Sequence, residues 1–443
     1  MHRARSQARP PCDAPPRGSC RLRPGAETNA PETRMLFEQE VKRMPRRRLV
    51  TYSSIALAGA LSWSWVLGCG EPEERPPGIA AGWSYQAVST VISSGRDGQR
   101  NVRLQADEKG ELHVAAPAGG ILYGRLAPGA RTWRLEQIAE ATNVSHWFGF
   151  GVTPAGSAHF VYYDDQSQSL RYIRPLPSGW ESEEIDDGSD LGHEGLTDIG
   201  HYCDVAMGPE ETPHVSYHDN TGGTGPDAFT LRYAFRATFT GWHTETVRQR
   251  TLGSVGEWTA IAVDGVGRVH IAYQDADESP MERLNVARKD GSTWQDERIV
   301  DAENGGYETD IALDTEGNPH VVHLDSSNLE YVHYDAANFV WVHDAIEEGL
   351  GAVKVAITLD ADDRPHIVFC RGIGHPRIEY IYSDGDRWQM TTVDNGVGRG
   401  GQGGCGAVAI ALDDGRRPHI LYANRQELDV PASAALHHVW RDP

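Results

Sequence analysis

The chain has 443 residues, with 41 Lys+Arg against 63 Asp+Glu for a formal net charge of -22, and it carries 48 Gly, 12 Trp and 6 Cys. So much negative charge repels phosphate backbones and speaks against a nucleic-acid binder. Six cysteines in this length make no disulfide scaffold, and richness in Gly and Trp leans toward an all-β protein.

The charge is unevenly spread. Residues 1–68 hold 12 basic and 5 acidic residues, a net of +7, so the remainder holds 29 basic and 58 acidic residues, a net of -29. Residues 1–43, rich in Pro and Arg and without apolar periodicity, read as a disordered or upstream-start extension. From Met44 the chain runs Met-Pro-Arg-Arg-Arg, then an apolar stretch from Ile55 to Leu67, then Gly68-Cys69. A basic segment followed by an apolar run shorter than a membrane span is the pattern of a signal peptide, assigned to 44–68. The ending Val66-Leu67-Gly68-Cys69 resembles the lipobox of bacterial lipoproteins. That resemblance implies lipidation at Cys69, a membrane partner reached through an N-terminal lipid anchor, and a place at the cell envelope, on the outer membrane or cell surface. Residues 69–80, opening Cys-Gly-Glu-Pro-Glu-Glu-Arg-Pro-Pro, read as an extended tether.

Residues 81–443 are repetitive. A His after a short turn and before an apolar residue recurs at His113, His159, His214, His270, His320, His366 and His419, and five copies carry an Asp six residues earlier: Asp107, Asp264, Asp314, Asp360 and Asp413. Each copy reads as two strands around a tight Asp-x-x-Gly-type turn. Interleaved with it, a Trp with Ile or Val five residues on recurs at Trp83, Trp133, Trp180, Trp242, Trp294, Trp341 and Trp388, and a further strand such as Leu231-Arg-Tyr233 lies between each His and the next Trp. Four strands per unit is a propeller blade. The fold class is therefore all-β, a seven-bladed β-propeller of four-stranded blades. The first Trp motif precedes the first His motif, and the last repeat has no Trp motif of its own. Trp83–Val88 should thus complete the C-terminal blade and close the ring, removing an exposed edge. The repeat histidines, by their equivalence, read as structural, through a turn or an interblade hydrogen bond.

The turns Asp290-Gly-Ser-Thr-Trp294 and Asp384-Gly-Asp-Arg-Trp388 resemble the Asp-boxes of sialidase-like propellers, and other copies drift from that form. The resemblance supports the fold and not the chemistry, since the Arg-Ile-Pro signature of such enzymes is absent and, of the arginines they cluster, innermost-strand positions offer only Arg103, with Arg371 and Arg399 in nearby loops.

In this strand order, the residues just before each innermost strand crowd one mouth of the central channel. They give the ligand-binding candidates His146, Trp147, His201, Tyr202, Glu257, Trp258, Tyr307 and Glu308, with Arg103, Asp204 and Asp310 further along the channel. His146, His201, Glu257 and Glu308 have the chemistry to hold a divalent cation or to transfer protons, and the aromatic residues suit sugar stacking. The simpler reading, side chains that solvate a wet channel, stands beside both. Cys370 and Cys405 should lie on adjacent blades, where an oxidising compartment could bridge them, while Cys203 reads as a buried thiol.

Two functions follow. The first is an exported, lipid-anchored and monomeric binding module for a glycan, a peptide or an envelope protein. The second is a polysaccharide-active enzyme, lyase or glycoside hydrolase, with a His/Glu/Tyr site at the channel mouth and metal assistance.

Overall fold

The computed structural model describes residues 78–93, 102–138, 140–141, 143–189, 197–221, 229–250, 253–276, 282–299, 305–326, 328–347, 351–372, 376–396, 405–424 and 433–442. The signal-like segment, Cys69 and most of the tether lie outside them.

The chain forms a seven-bladed β-propeller of seven four-stranded antiparallel sheets. With strands labelled A to D from the channel outward, the A strands of blades 1 to 7 are Arg103–Ala106, Val144–Val152, Ile199–Met207, Ser254–Val263, Tyr307–Leu313, Ala352–Leu359 and Cys405–Leu412. Blade 7 takes its A, B and C strands from the C-terminus and its D strand, Trp83–Ser93, from the N-terminal side. Trp83 pairs with Arg441 and Tyr85 with Val439. The predicted ring closure is present, and no blade is left with an open seam at the junction.

The B strands are buried along nearly their whole length, and Leu112–Pro117 and Ala158–Asp164 at every position, because neighbouring blades cover both of their faces. Their runs are accordingly near-continuously apolar rather than alternating. In blades 1, 4, 5, 6 and 7 the A–B turn is set by its Asp, and in blade 2 Thr153 Oγ1 takes that part by accepting from the Ser157 amide. Asp107 Oδ1 accepts from the amides of Lys109 and Glu111, both at 2.9 Å, and Asp314 Oδ1 accepts from those of Glu316 and Asn318. The left-handed position of the turn is filled by Gly110, Gly156, Gly267 and Gly317 in blades 1, 2, 4 and 5, and by Asp363 and Arg416 in blades 6 and 7. Glycine takes that conformation without steric cost.

The two repeated motifs meet in one device. Five of the seven repeat His residues bond through Nδ1 to a Tyr hydroxyl on strand C of their own blade: His113 to Tyr123 (2.7 Å), His159 to Tyr172 (2.6 Å), His214 to Tyr233 (2.6 Å), His320 to Tyr331 (2.5 Å) and His366 to Tyr380 (2.5 Å). In blade 7 His438 takes the tyrosine's place, 3.0 Å from His419. The bond thus runs within a blade rather than between blades. The link between blades comes from the repeat Trp. Trp242 packs edge-on against Tyr172 of the preceding blade at 5.0 Å, Trp294 against Tyr233, Trp388 against Tyr331, and Trp83 against Tyr380. T-shaped packing suits the ring quadrupoles and adds to their area burial. Burial is the leading cause that holds these imidazoles below their ordinary range, to about 4 at His159, His214, His270 and His320.

Blade 4 departs from this pattern. Val286 stands where the tyrosine should be, and both ring nitrogens of His270, 2% exposed, lack a hydrogen-bond partner.

Candidate functional site

All seven A strands line a central channel of about 520 Å³. Aliphatic residues such as Val205, Ile261 and Ile311 share its wall with polar ones, and the polar side chains stitch neighbouring blades together. Gln105 accepts from the Val152 amide at 2.8 Å and donates to the Phe150 carbonyl at 3.0 Å. Asp204 accepts from the Ile261 amide at 3.3 Å and Asp310 from the Ile357 amide at 2.9 Å. Arg103 donates to the Phe148 carbonyl at 3.3 Å and lies 3.8 Å from Asp204. Arg103, Asp204 and Asp310 therefore line the channel as expected from their shared repeat position, and each also fixes a neighbouring strand.

The mouth is shaped by a repeated irregularity. The A strands of blades 2 to 5 shift register near their starts, between Val144 and Phe148, His201 and Asp204, Glu257 and Ala260, and Tyr307 and Asp310. Within these bulges Tyr202, Trp258 and Glu308 hold left-handed backbone, with φ of 51°, 52° and 50°. A bulky residue there is strained, and such strain clusters where a side chain must be re-aimed.

The re-aimed side chains form an arc. Ring centroids are 5.8 Å apart from Trp147 to Tyr202, 5.2 Å from Tyr202 to Trp258 and 6.1 Å from Trp258 to Tyr307, with the planes tilted by 49° to 59°. All four are partly exposed. A small pocket among Arg103, Trp147, Phe148, Tyr202, Trp258 and Thr259 opens between them.

Polar groups flank the arc in four pairs. His201 stacks on Trp147 at 3.7 Å and binds Asp198 through Nε2 at 2.8 Å. Burial pushes the Asp198 carboxyl up, but hydrogen bonds from His201, Tyr163 and Asn220 outweigh it and hold the group at about 2. Tyr202 donates its hydroxyl to Glu257 at 3.2 Å, and Ser254 donates to the other oxygen of Glu257 at 2.6 Å. Glu308 pairs with Lys354, both buried, and the Lys354 ammonium lies 5.8 Å over Trp258. Tyr307 donates to Glu282.

Among the four residues with metal-ligand chemistry at the mouth, the side chain of His146 lies outside the described residues. His201, Glu257 and Glu308 each engage a different partner, and among the described residues they form no trio with ligand atoms within 4.8 Å of one another. Asp198, Ser254 and Glu282, which hold the site residues in place, carry no repeat signal. Asp198, three residues before His201 at the end of a connection, had only its spacing to announce it. Cys203 is a buried thiol. Cys370 is buried in strand B of blade 6 and Cys405 opens strand A of blade 7, but the side chain of Cys405 is outside the described residues, and so is any bridge between them.

No protein-family model and no curated protein matches the chain. Among solved structures, it is similar to a protein of unknown function from Dyadobacter fermentans, at 11% identity over 82% of this chain and 100% of that one, with a TM-score of 0.46. It is also similar to a lectin from Aleuria aurantia in complex with Fucα1-6GlcNAc, at 14% identity over 70% of this chain and 99% of that one, with a TM-score of 0.45. A leech intramolecular trans-sialidase complexed with 2,7-anhydro-Neu5Ac matches at 11% identity over 81% of this chain and 70% of that one, with a TM-score of 0.43.

Proposed function

We propose that this protein is a carbohydrate-binding propeller that takes a glycan at the channel mouth over blades 2 to 5. The observation that carries the reading is the arc of Trp147, Tyr202, Trp258 and Tyr307, two members of which sit in strained backbone that packing alone would not select. Partly exposed aromatic faces take up the apolar faces of sugar rings, while His201, Glu257 and Arg103 supply hydrogen-bonding groups for hydroxyls beside them. Export and lipidation at Cys69, which would put the module at the cell envelope, rest on the Arg triplet, apolar stretch and Cys of residues 44–69. Glycan-array screening followed by calorimetry tests the reading. A Trp258→Asn variant should bind the selected glycan at least tenfold more weakly, and equal affinity would refute it.

A second reading, a polysaccharide-active enzyme, draws on one specific feature. The Asp198–His201 pair adjoins the Tyr202–Glu257 pair, and the two together offer proton-transfer groups beside the aromatic arc. Release of new reducing or unsaturated ends from a bound polysaccharide would favour it over the binding module.

A further inference from the structure

The repeated turn on the face opposite the mouth takes a different form in blade 1. In blades 5, 6 and 7 the turn Asp stands near the repeat His: Asp314 to His320 at 3.9 Å, Asp360 to His366 at 3.7 Å and Asp413 to His419 at 3.4 Å. Four residues after the Asp, blades 4, 6 and 7 place an arginine, and Arg268 and Arg417 turn back to neutralise the carboxylate. Blade 5 has Asn318 there, which donates to Asp314 at 2.9 Å.

Blade 1 puts Glu111 at that position. Among the described residues, Asp107, Glu111 and His113 are the group of three whose ligand atoms all lie within 4.8 Å of one another. His113 is 0% exposed, and its Nε2 has no hydrogen-bond partner. That atom faces Asp107 Oδ2 across 3.6 Å. Two ligands about 2.1 Å from one tetrahedral zinc stand roughly 3.4 Å apart, so this gap is the size a shared cation spans. Asp107 is already oriented, because its other oxygen caps the turn. His113 is oriented as well: its Nδ1 meets the Tyr123 hydroxyl, the outer contact that fixes a ligating imidazole. The basic residue of the turn, Lys109, points its amine to the Ala155 carbonyl at 2.8 Å instead. Gly156 of blade 2 closes the site from above, since a Cβ there would come within 2.6 Å of Asp107 Oδ2.

We propose that Asp107 Oδ2, the Glu111 carboxylate and His113 Nε2 form a binding site for a divalent transition-metal cation of the zinc class. Partly exposed Glu111 is the point of entry, and a water completes the coordination. This site lies on the face opposite the glycan site and does not depend on that reading.

Zinc alone is the probe. The purified chain is loaded with Zn²⁺, dialysed and analysed for metal, beside Glu111→Arg, which installs the residue of blades 4, 6 and 7, and Glu111→Gln, which removes only the charge. The wild type should retain one zinc more per chain than Glu111→Arg, and Glu111→Gln should bind it at least tenfold more weakly. Zinc should raise the Tm of the wild type and leave that of Glu111→Arg unmoved. Equal zinc retention by wild type and Glu111→Arg would overturn the proposal, as would a wild type that retains none. Metal-free melting of both variants at the wild-type temperature separates loss of the site from loss of the fold.

Discussion

The two faces of this propeller follow opposite rules. On the A–B turn side, the Asp turn recurs in five blades and the His–Tyr bond in five, and the repeat Trp of the next blade packs on the tyrosine. On the mouth side, a single equivalent position holds Trp147, Tyr202, Trp258, Glu308 and Lys354 in five successive blades. Copying marks a structural load that every blade shares. Divergence at one position, with strained backbone in three of its copies, leaves a surface on which ring closure makes no demand, and the proposed glycan site uses it.

The sharpest way to break the repeated side is at the closing seam. Tyr380 is 1% exposed, bonds His366 and carries Trp83. Tyr380→Ala should cost about 3–5 kcal/mol, read as a lowered midpoint in denaturant unfolding. An effect below about 1 kcal/mol would show that the seam is held elsewhere.

Acid attacks the same side. His159, His214, His270 and His320 titrate near 4 in the fold because burial disfavours the imidazolium, against about 6.5 when unfolded. The unfolded chain therefore binds more protons between these values. The stability these histidines contribute is complete above about pH 6.5 and is lost as pH falls toward 4. Tm should fall steeply across that window, and a flat profile there would contradict neutral, buried histidines.

On the mouth side the same size of change should spare stability. Asn tolerates left-handed backbone better than Trp. Trp258→Asn should therefore shift unfolding by only about 1 kcal/mol while glycan affinity falls at least tenfold. A large loss of stability would move Trp258 to the structural group.

The smallest effect is expected at the odd blade. Val286→Tyr would return a hydroxyl to His270 and should raise stability by about 1 kcal/mol. An unchanged or lower Tm would mean that the core of blades 4 and 5 has closed around the valine and is overpacked by the ring.

Much of the fold was legible because each blade had to solve the same packing problem with the same residues. The His and Trp series gave the blade count, and the unmatched Trp83 gave the ring closure. The partners of those residues were not legible. The tyrosines of strand C were visible only as strand residues, and that they receive the His bond and the next blade's Trp depends on cross-strand register and blade stacking. At the mouth, the aromatic candidates could be counted back from the repeat His, but the bulges that aim them could not. Tyr202, Trp258 and Glu308 take a left-handed conformation without the Gly or Asn that announces one.

The sequence by itself thus determined the number of blades, their four strands and the pairing of the two ends, because periodic burial leaves a periodic trace. The tertiary structure decided which side chains meet: His201 with Asp198 and Trp147, Glu257 with Tyr202, Glu308 with Lys354, and Glu111 with Asp107 and His113. Such meetings occur once each, across blades or within one irregular turn, and a contact made only once leaves no period to read.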